Sequence, residues 1–414
     1  MYCQRGARGD ADSRGELGSI GQRPRRNGMG SFFSHGGRGT AWLGAALVLA
    51  CLAAAAQEPN PDECATDAEP GEGFRAVPLE RAELRLAYAN DAIIDNTGRE
   101  DWGYTSGIRL EAFWPVQLGS APARGGVARP RPLDERLRPF LETADGQARP
   151  RVGIAAGQDI FTPRVFGGRR VLPGDRPYAG WLYLGALAEL KTRLGLLDAE
   201  LDVGVTGSSS YAGSAQNYVH STIGSPVLGG WKNQIAEGVG VELTLTGGYY
   251  LADAPAPWAP DSNLRVFDLL FYGQSALGNV LLAESAGATA RLGRIVRPEG
   301  SSIRPPAPAR GTRAAAAPLR PGDTDLFQLY AYGRVQAQWV VHNTLIEGWP
   351  GRDIPHAAGI APLVYEAEGG VVFQPINLVE VTASATHRSR ETRLGRSDRH
   401  GHTFGQIELG LHFF

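Results

Sequence analysis

The chain has 414 residues, 43% hydrophobic and 20% charged, with a formal net charge of −2. That near-neutral balance excludes the basic footprint of a nucleic-acid-binding protein and the character of an acidic tail. Gly 55 and Pro 28 are high for a compact helical domain and suit many short strands joined by loops.

Residues 1–28 are rich in Arg and Gly and lack periodicity, so they read as disordered or as sequence upstream of a true start at Met29. From Met29 to Ala56 a charged stretch with His35 and Arg38 precedes the apolar run Ala41 to Ala56 and small residues before Gln57. This is the pattern of a secretory signal peptide. The run is about 16 residues, short of the roughly 20 that a membrane-spanning helix needs. Val48-Leu49-Ala50-Cys51 also reads as a lipoprotein box. Of the cysteines Cys3, Cys51 and Cys64, cleavage leaves only the last, which excludes an intramolecular disulfide and a cysteine metal site. Residues 57–80 form a polar linker rich in Pro and Glu.

From residue 81 onward the pattern is that of strands. Leu84, Leu86 and Tyr88 alternate with Glu83, Arg85 and Ala87, and Asp91 falls in phase with the polar set. A polar loop follows, then Tyr104-Thr105-Ser106-Gly107 opens a strand in which Ile108, Leu110 and Ala112 alternate with Arg109 and Glu111. Strands are expected near 84–91, 104–114, 151–158, 179–191, 197–206, 240–250, 267–275, 284–293, 326–342, 360–373, 376–388 and 402–414. Twelve is an even number, as a membrane barrel requires, with polar residues inside and apolar residues outside. The mean hydropathy of −0.21 is uninformative for such a fold, because the apolar signal is spread in alternation. Residues 118–150 and 296–323 are low in complexity and laden with Pro, and read as long flexible loops. Ile407, Leu409, Leu411 and Phe413 share a face, with Phe414 out of phase. A soluble sandwich with aromatic last residues is the competing reading. Trp102, Trp114, Trp181, Trp231 and Trp339 fall near strand ends, as an interfacial girdle or as core aromatics.

Between the fifth and sixth strands lies Gln216-x-x-x-His220, whose spacing of four puts both side chains on one face of a short helix in a rim loop. Gly229-Gly230-Trp231-x-x-Gln234 leads back to the wall. Asp175-Arg176-Pro177 is a turn feeding a strand, with its guanidinium placed to pair with Asp175 or with an anionic ligand. Asn90, Asp91 and the backbone around Ser106 offer the hard oxygen donors that calcium takes. Asp91 could equally cap a turn or balance Arg109. There is no H-E-x-x-H, no zinc spacing and no G-x-S-x-G elbow, and Gly207 to Ser210 reads as a plain loop. His342, His356, His387, His400 and His402 have no partner at useful spacing.

These motifs resemble the outer-membrane lipid A 3-O-deacylase family (the LpxR type). The resemblance rests on Asn90-Asp91, the Tyr104 to Arg109 strand start, Gly157 to Pro163, Asp175 to Gly180, and the Gln216/His220 helix followed by Trp231 and Gln234. It spans nearly the whole mature chain. It implies an outer-membrane barrel that hydrolyses an acyl ester at the 3-position of lipid A, with His220 as general base beside Gln216. It further implies Ca2+ held by Asn90, Asp91 and Ser106, Asp91 being part of the catalytic set, and Arg176 and Trp231 against the lipopolysaccharide substrate. No obligate protein partner is expected. A phospholipase barrel or a non-enzymatic, porin-like barrel are the rival classes.

Overall fold

The computed structural model describes residues 82–94, 103–115, 149–164, 174–191, 195–259, 264–296, 303–304, 313–314, 327–352, 358–376, 378–393 and 401–413. The readings of 1–28, 29–56 and 57–80, and most of 118–150 and 296–323, lie outside these residues. The strands are β1 (Ala82–Asn90), β2 (Gly103–Pro115), β3 (Arg149–Thr162), β4 (Ala179–Lys191), β5 (Gly195–Thr206), β6 (Gly238–Pro255), β7 (Leu264–Gly278), β8 (Leu281–Val296), β9 (Ile303–Arg304), β10 (Arg313–Ala314), β11 (Gln328–Asn343), β12 (Leu363–Ile376), β13 (Val379–Arg388) and β14 (His402–Phe413). All but β9 and β10 form one closed barrel in the order β1-β14-β13-β12-β11-β8-β7-β6-β5-β4-β3-β2. Every ladder is antiparallel, and closure pairs Ala82 with Phe413 through Asn90 with Gly405. The twelve expected strands are these twelve; β9 and β10 make a separate two-residue ladder that alternation gives no sign of.

Strand alternation decides which way each side chain faces. Leu86 and Tyr88 on β1, Ile108 and Leu110 on β2, Ile154 on β3, Leu184 on β4, Val203 on β5, and Ile407 and Phe413 on β14 are all exposed large apolar groups on the outer wall. The residues between them point inward and include buried charged side chains. Arg151 Nη1 and Nη2 donate to Glu83 at 2.6 Å and Glu189 at 2.5 Å. Arg109 Nη2 donates to Glu200 at 2.8 Å and Nη1 to the Tyr183 hydroxyl at 2.9 Å. Arg388 Nε donates to Glu366 at 2.9 Å, and Arg334 is held by Glu366 and Glu368. Apolar outside and charge-paired inside is what a barrel in a bilayer requires and the inverse of a soluble sandwich. Among the described residues no helix is long and apolar enough to cross a membrane.

The end away from the chain termini, here the upper end, is closed from within. Tyr104, Phe161, Ala179, Trp181, Tyr183, Ile235, Val280, Phe404 and Leu345 form one buried apolar cluster. Leu345 comes from α2 (Thr344–Glu347), a turn of helix absent from the sequence-based expectations. Its signal is Asn343, whose Oδ1 caps the turn by accepting from Leu345 N at 2.9 Å. Trp114 and Trp339 are exposed on the wall, as a girdle requires, whereas Trp181 and Trp231 are buried and Trp102 lies outside the described residues.

Candidate active site

The connection from β5 to β6 carries the expected helix, α1 (Ala212–Ile223), with Ala212, Gln216 and His220 buried along one face. Gly207–Ser210 before it is not a plain loop but a 3-10 turn, held where Ser208 and Ser209 donate to the Glu237 carboxylate. Those two hydroxyls hold the exposed Glu237 carboxyl below the usual carboxylate range.

Strand parity places α1 outside the barrel. Ile160 and Gly180 belong to the outward set, and Ile160 clusters with Tyr178, Ala212, Leu228 and Trp231. A Cβ on Gly180 would overlap Ser210 and Ala212, so only glycine lets the start of α1 lie on the wall. Gln158, also outward, donates from Nε2 to Ser210 O at 2.6 Å.

The other candidates share that wall. Asn90 pairs with Ser106, Ser106 with Ile160, and Ile160 with Gly180. One transverse row therefore runs from the Asn90 turn to the wall beneath α1. Asn90 caps a 3-10 turn, Asp91–Ile93, and both Asn90 Oδ1 and Asp91 Oδ1 accept from Ala92 N, at 2.7 and 2.8 Å. Asp91 is buried. The turn folds over the outer face of β14, where a Cβ on Gly405 would overlap Ile93. Asn90, Asp91 and Ser106 supply only oxygen donors, the type suited to calcium rather than zinc. The described residues contain no group of three or more His, Cys, Asp and Glu placed to hold a metal. A cation at this turn would therefore draw on amide, hydroxyl and backbone oxygens beside the single carboxylate.

Around α1 the hydrogen bonds are directional. His220 Nδ1 lies 2.7 Å from Pro226 O. A carbonyl can only accept, so Nδ1 donates, and in the neutral ring Nε2 is the nitrogen with the lone pair. Trp231 Nε1 donates to Gln216 Oε1 at 2.9 Å. An indole N–H can only donate, which turns the amide so that Nε2 faces the other way. Gln216 Nε2 is buried and makes no hydrogen bond among the described residues. Trp231 is itself buried, against the Tyr178 ring at 4.9 Å and close above Gly213, where a Cβ would stand 2.7 Å from Trp231 Cγ. It offers little surface to a substrate and acts on the site through Gln216.

Arg176 is brought elsewhere. It is buried inside the barrel mouth, with its guanidinium 4.4 Å from the Phe161 ring centre and Nη1 donating to Glu391 Oε2 at 3.1 Å. The guanidinium of this turn thus pairs with a carboxylate, that of Glu391, and Asp175 Oδ1 accepts from the backbone of Arg164 and Arg176. Burial pushes the Glu391 carboxyl up, but the Arg388 and Arg176 guanidiniums more than offset this and hold it below the usual range. Arg109, the other candidate partner of Asp91, is held by Glu111 and Glu200. The expectation for the other histidines is corrected at two of them: His342 Nδ1 lies 3.1 Å from Glu347 at the end of α2, and His387 Nδ1 lies 2.9 Å from the Thr403 hydroxyl.

Comparison with known proteins agrees with this architecture. No curated protein matches the chain. Among solved structures, LpxR from Salmonella typhimurium superposes with a TM-score of 0.59 at 17% identity, covering 80% of this chain and 100% of that one. The β domain of the Bordetella autotransporter BrkA (TM-score 0.36, 11% identity, 81% of this chain and 99% of that one) is a more distant barrel. The model of the family described as outer membrane protein LpxR matches residues 43–413. With nearly the whole chain matched and a twelve-stranded barrel of the same fold, this protein belongs to the LpxR family of outer membrane proteins.

Proposed function

We propose that this protein hydrolyses the 3-position acyl ester of lipid A by direct attack of water, with His220 as general base. Family membership supports the reaction class, deacylation of lipid A in the outer membrane. The observation that carries the mechanism is the 2.7 Å contact between His220 Nδ1 and Pro226 O. It makes Nε2 the basic nitrogen and holds the ring in one orientation, the work that a carboxylate does in other histidine bases. The Trp231 bond leaves Gln216 Nε2 as a buried donor one helical turn before His220, suited to an oxygen of the attacking water or of the ester.

Asn90, Asp91 and Ser106 would hold Ca2+ at the other end of the same wall row. When bound, the ion supplies positive charge that polarises an ester carbonyl. The protein's own groups do the rest: His220 takes a proton from water, Gln216 orients it, and the packed wall under α1 limits solvent. A site on the outer wall suits a substrate whose acyl chains never leave the leaflet. The rival phospholipase reading calls for a serine nucleophile, and the sequence has no G-x-S-x-G elbow. A porin-like reading gives no use to the buried Gln216 and His220.

Mass spectrometry of lipid A from cells with and without the protein tests the proposal. The expected result is loss of one 3-linked acyl chain. Unchanged lipid A together with released phospholipid fatty acid would overturn it in favour of the phospholipase.

A further inference from the structure

α1 has a second face that the chemistry does not use. Tyr218 is 74% exposed, Val219 46% and Ile223 68%, and Val227 in the following loop is 61% exposed. At 100° per residue, Val219 and Ile223 lie beside the buried Gln216/His220 face, while Ser214, Asn217, Tyr218 and Ser221 cover another arc. A helix that met water on this side would not carry a valine and an isoleucine together on it.

What covers this face follows from where α1 sits. It lies on the outer wall, against Ile160 and Gly180. Lower on these strands and their neighbours, Ile108, Leu110, Ile154, Leu184 and Val203 are exposed on the outer wall. The apolar face of α1 continues this lipid-facing belt upward. From Tyr211 to Leu228 there is no Lys or Arg, so the segment has no cation for lipid phosphates and is suited to acyl chains. We propose that α1 lies in the plane of the membrane interface with Val219, Ile223 and Val227 immersed among lipid acyl chains, an interfacial helix attached to a membrane-spanning barrel. The buried face then holds Gln216 and His220 at the boundary between acyl chains and headgroups, so an acyl ester reaches His220 by lateral diffusion alone.

This inference rests on the outer-membrane placement of the family and not on the reaction. Its test is site-directed spin labelling of the full chain with its native cysteines replaced by Ser, reconstituted in phosphatidylcholine vesicles. Labels follow Val219→Cys, Ile223→Cys and Val227→Cys, with Ser214→Cys and Ser221→Cys for comparison. Nitroxides at 219, 223 and 227 should collide more often with oxygen than with a water-soluble nickel chelate, and those at 214 and 221 the reverse. Nickel accessibility at 219 and 223 equal to that at 214 and 221 would overturn the proposal. So would spin–spin broadening at 219 and 223, which would mean that a second barrel covers the face. An inactive protein with lipid-exposed labels would sink the hydrolase reading and leave this one standing.

Discussion

Replacing His220 with Asn separates chemistry from structure at one atom. The Asn amide nitrogen occupies nearly the place of imidazole Nδ1, so it can still donate to Pro226 O, now 2.7 Å from the ring. The loop after α1 therefore keeps its tie, a bond worth about 1 kcal/mol. What disappears is Nε2, the nitrogen carrying the lone pair. A general base contributes typically about 10²–10⁴-fold, so kcat should fall by about two to four powers of ten, or about 2.7–5.4 kcal/mol in the barrier. His220→Ala, which loses the bond as well, should be slower still or bind less tightly. The assay is release of the acyl chain from purified lipid A, with the shift in gel mobility on boiling reporting an intact barrel. A folded variant turning over at the normal rate would refute the assignment.

Trp231→Phe keeps an aromatic ring but removes the indole N–H, leaving Gln216 Oε1 buried without its donor at a cost of about 1–3 kcal/mol. The kcat should fall about 5- to 150-fold with little change in KM, and the effect should vanish in a Gln216→Leu background. Chelation of calcium, or Asp91→Ala, should abolish turnover, and calcium but not zinc should restore the chelated wild type. Glu391 has a folded pKa held below its unfolded value, so its ion pairs stabilise the barrel mouth above about pH 4 and that contribution is lost as pH falls through the folded value. Glu391→Gln should remove this acid limb from a pH series of barrel melting. Because Leu345 and its cluster, together with the Arg176–Glu391 pair, fill the upper lumen, planar bilayers holding the protein should show no steady conductance, which the porin-like reading would require.

The barrel is legible because the wall obeys one rule, outward apolar and inward polar, that each strand states on its own. The rule weakens where something other than lipid or lumen covers the wall. Alternation ends β3 at 158, but the strand runs to Thr162, because Ile160 is buried under α1 instead of exposed. It ends β6 at 250, but that strand continues to Pro255 past a bulge between Tyr250 and Ala252, which breaks the period of two. Ile376, which the pattern assigns to the following strand, belongs to the end of β12. The Gln216/His220 face follows from spacing alone. That Trp231 orients Gln216, or that Arg176 pairs with a carboxylate 215 positions away, does not, because such contacts depend on which strands become neighbours. No local pattern tells that α1 crosses outside the wall; the permissive residue, Gly180, reads in sequence as an ordinary strand glycine.

The turn that carries Asn90 and Asp91 rests on Gly405, and Gly405 belongs to β14, the strand that closes the ring against β1. β1 meets β14 only when the sheet has curled into a ring. Until that seam is zipped, Ile93 has no surface to lie on, and the end of the first strand is unsupported, far along the chain from its eventual neighbour. The joint between the first and last strands thus works as a latch: an unclosed sheet carries Asn90, Asp91 and Gly405 but not their arrangement, and the turn is seated only when the ring is complete.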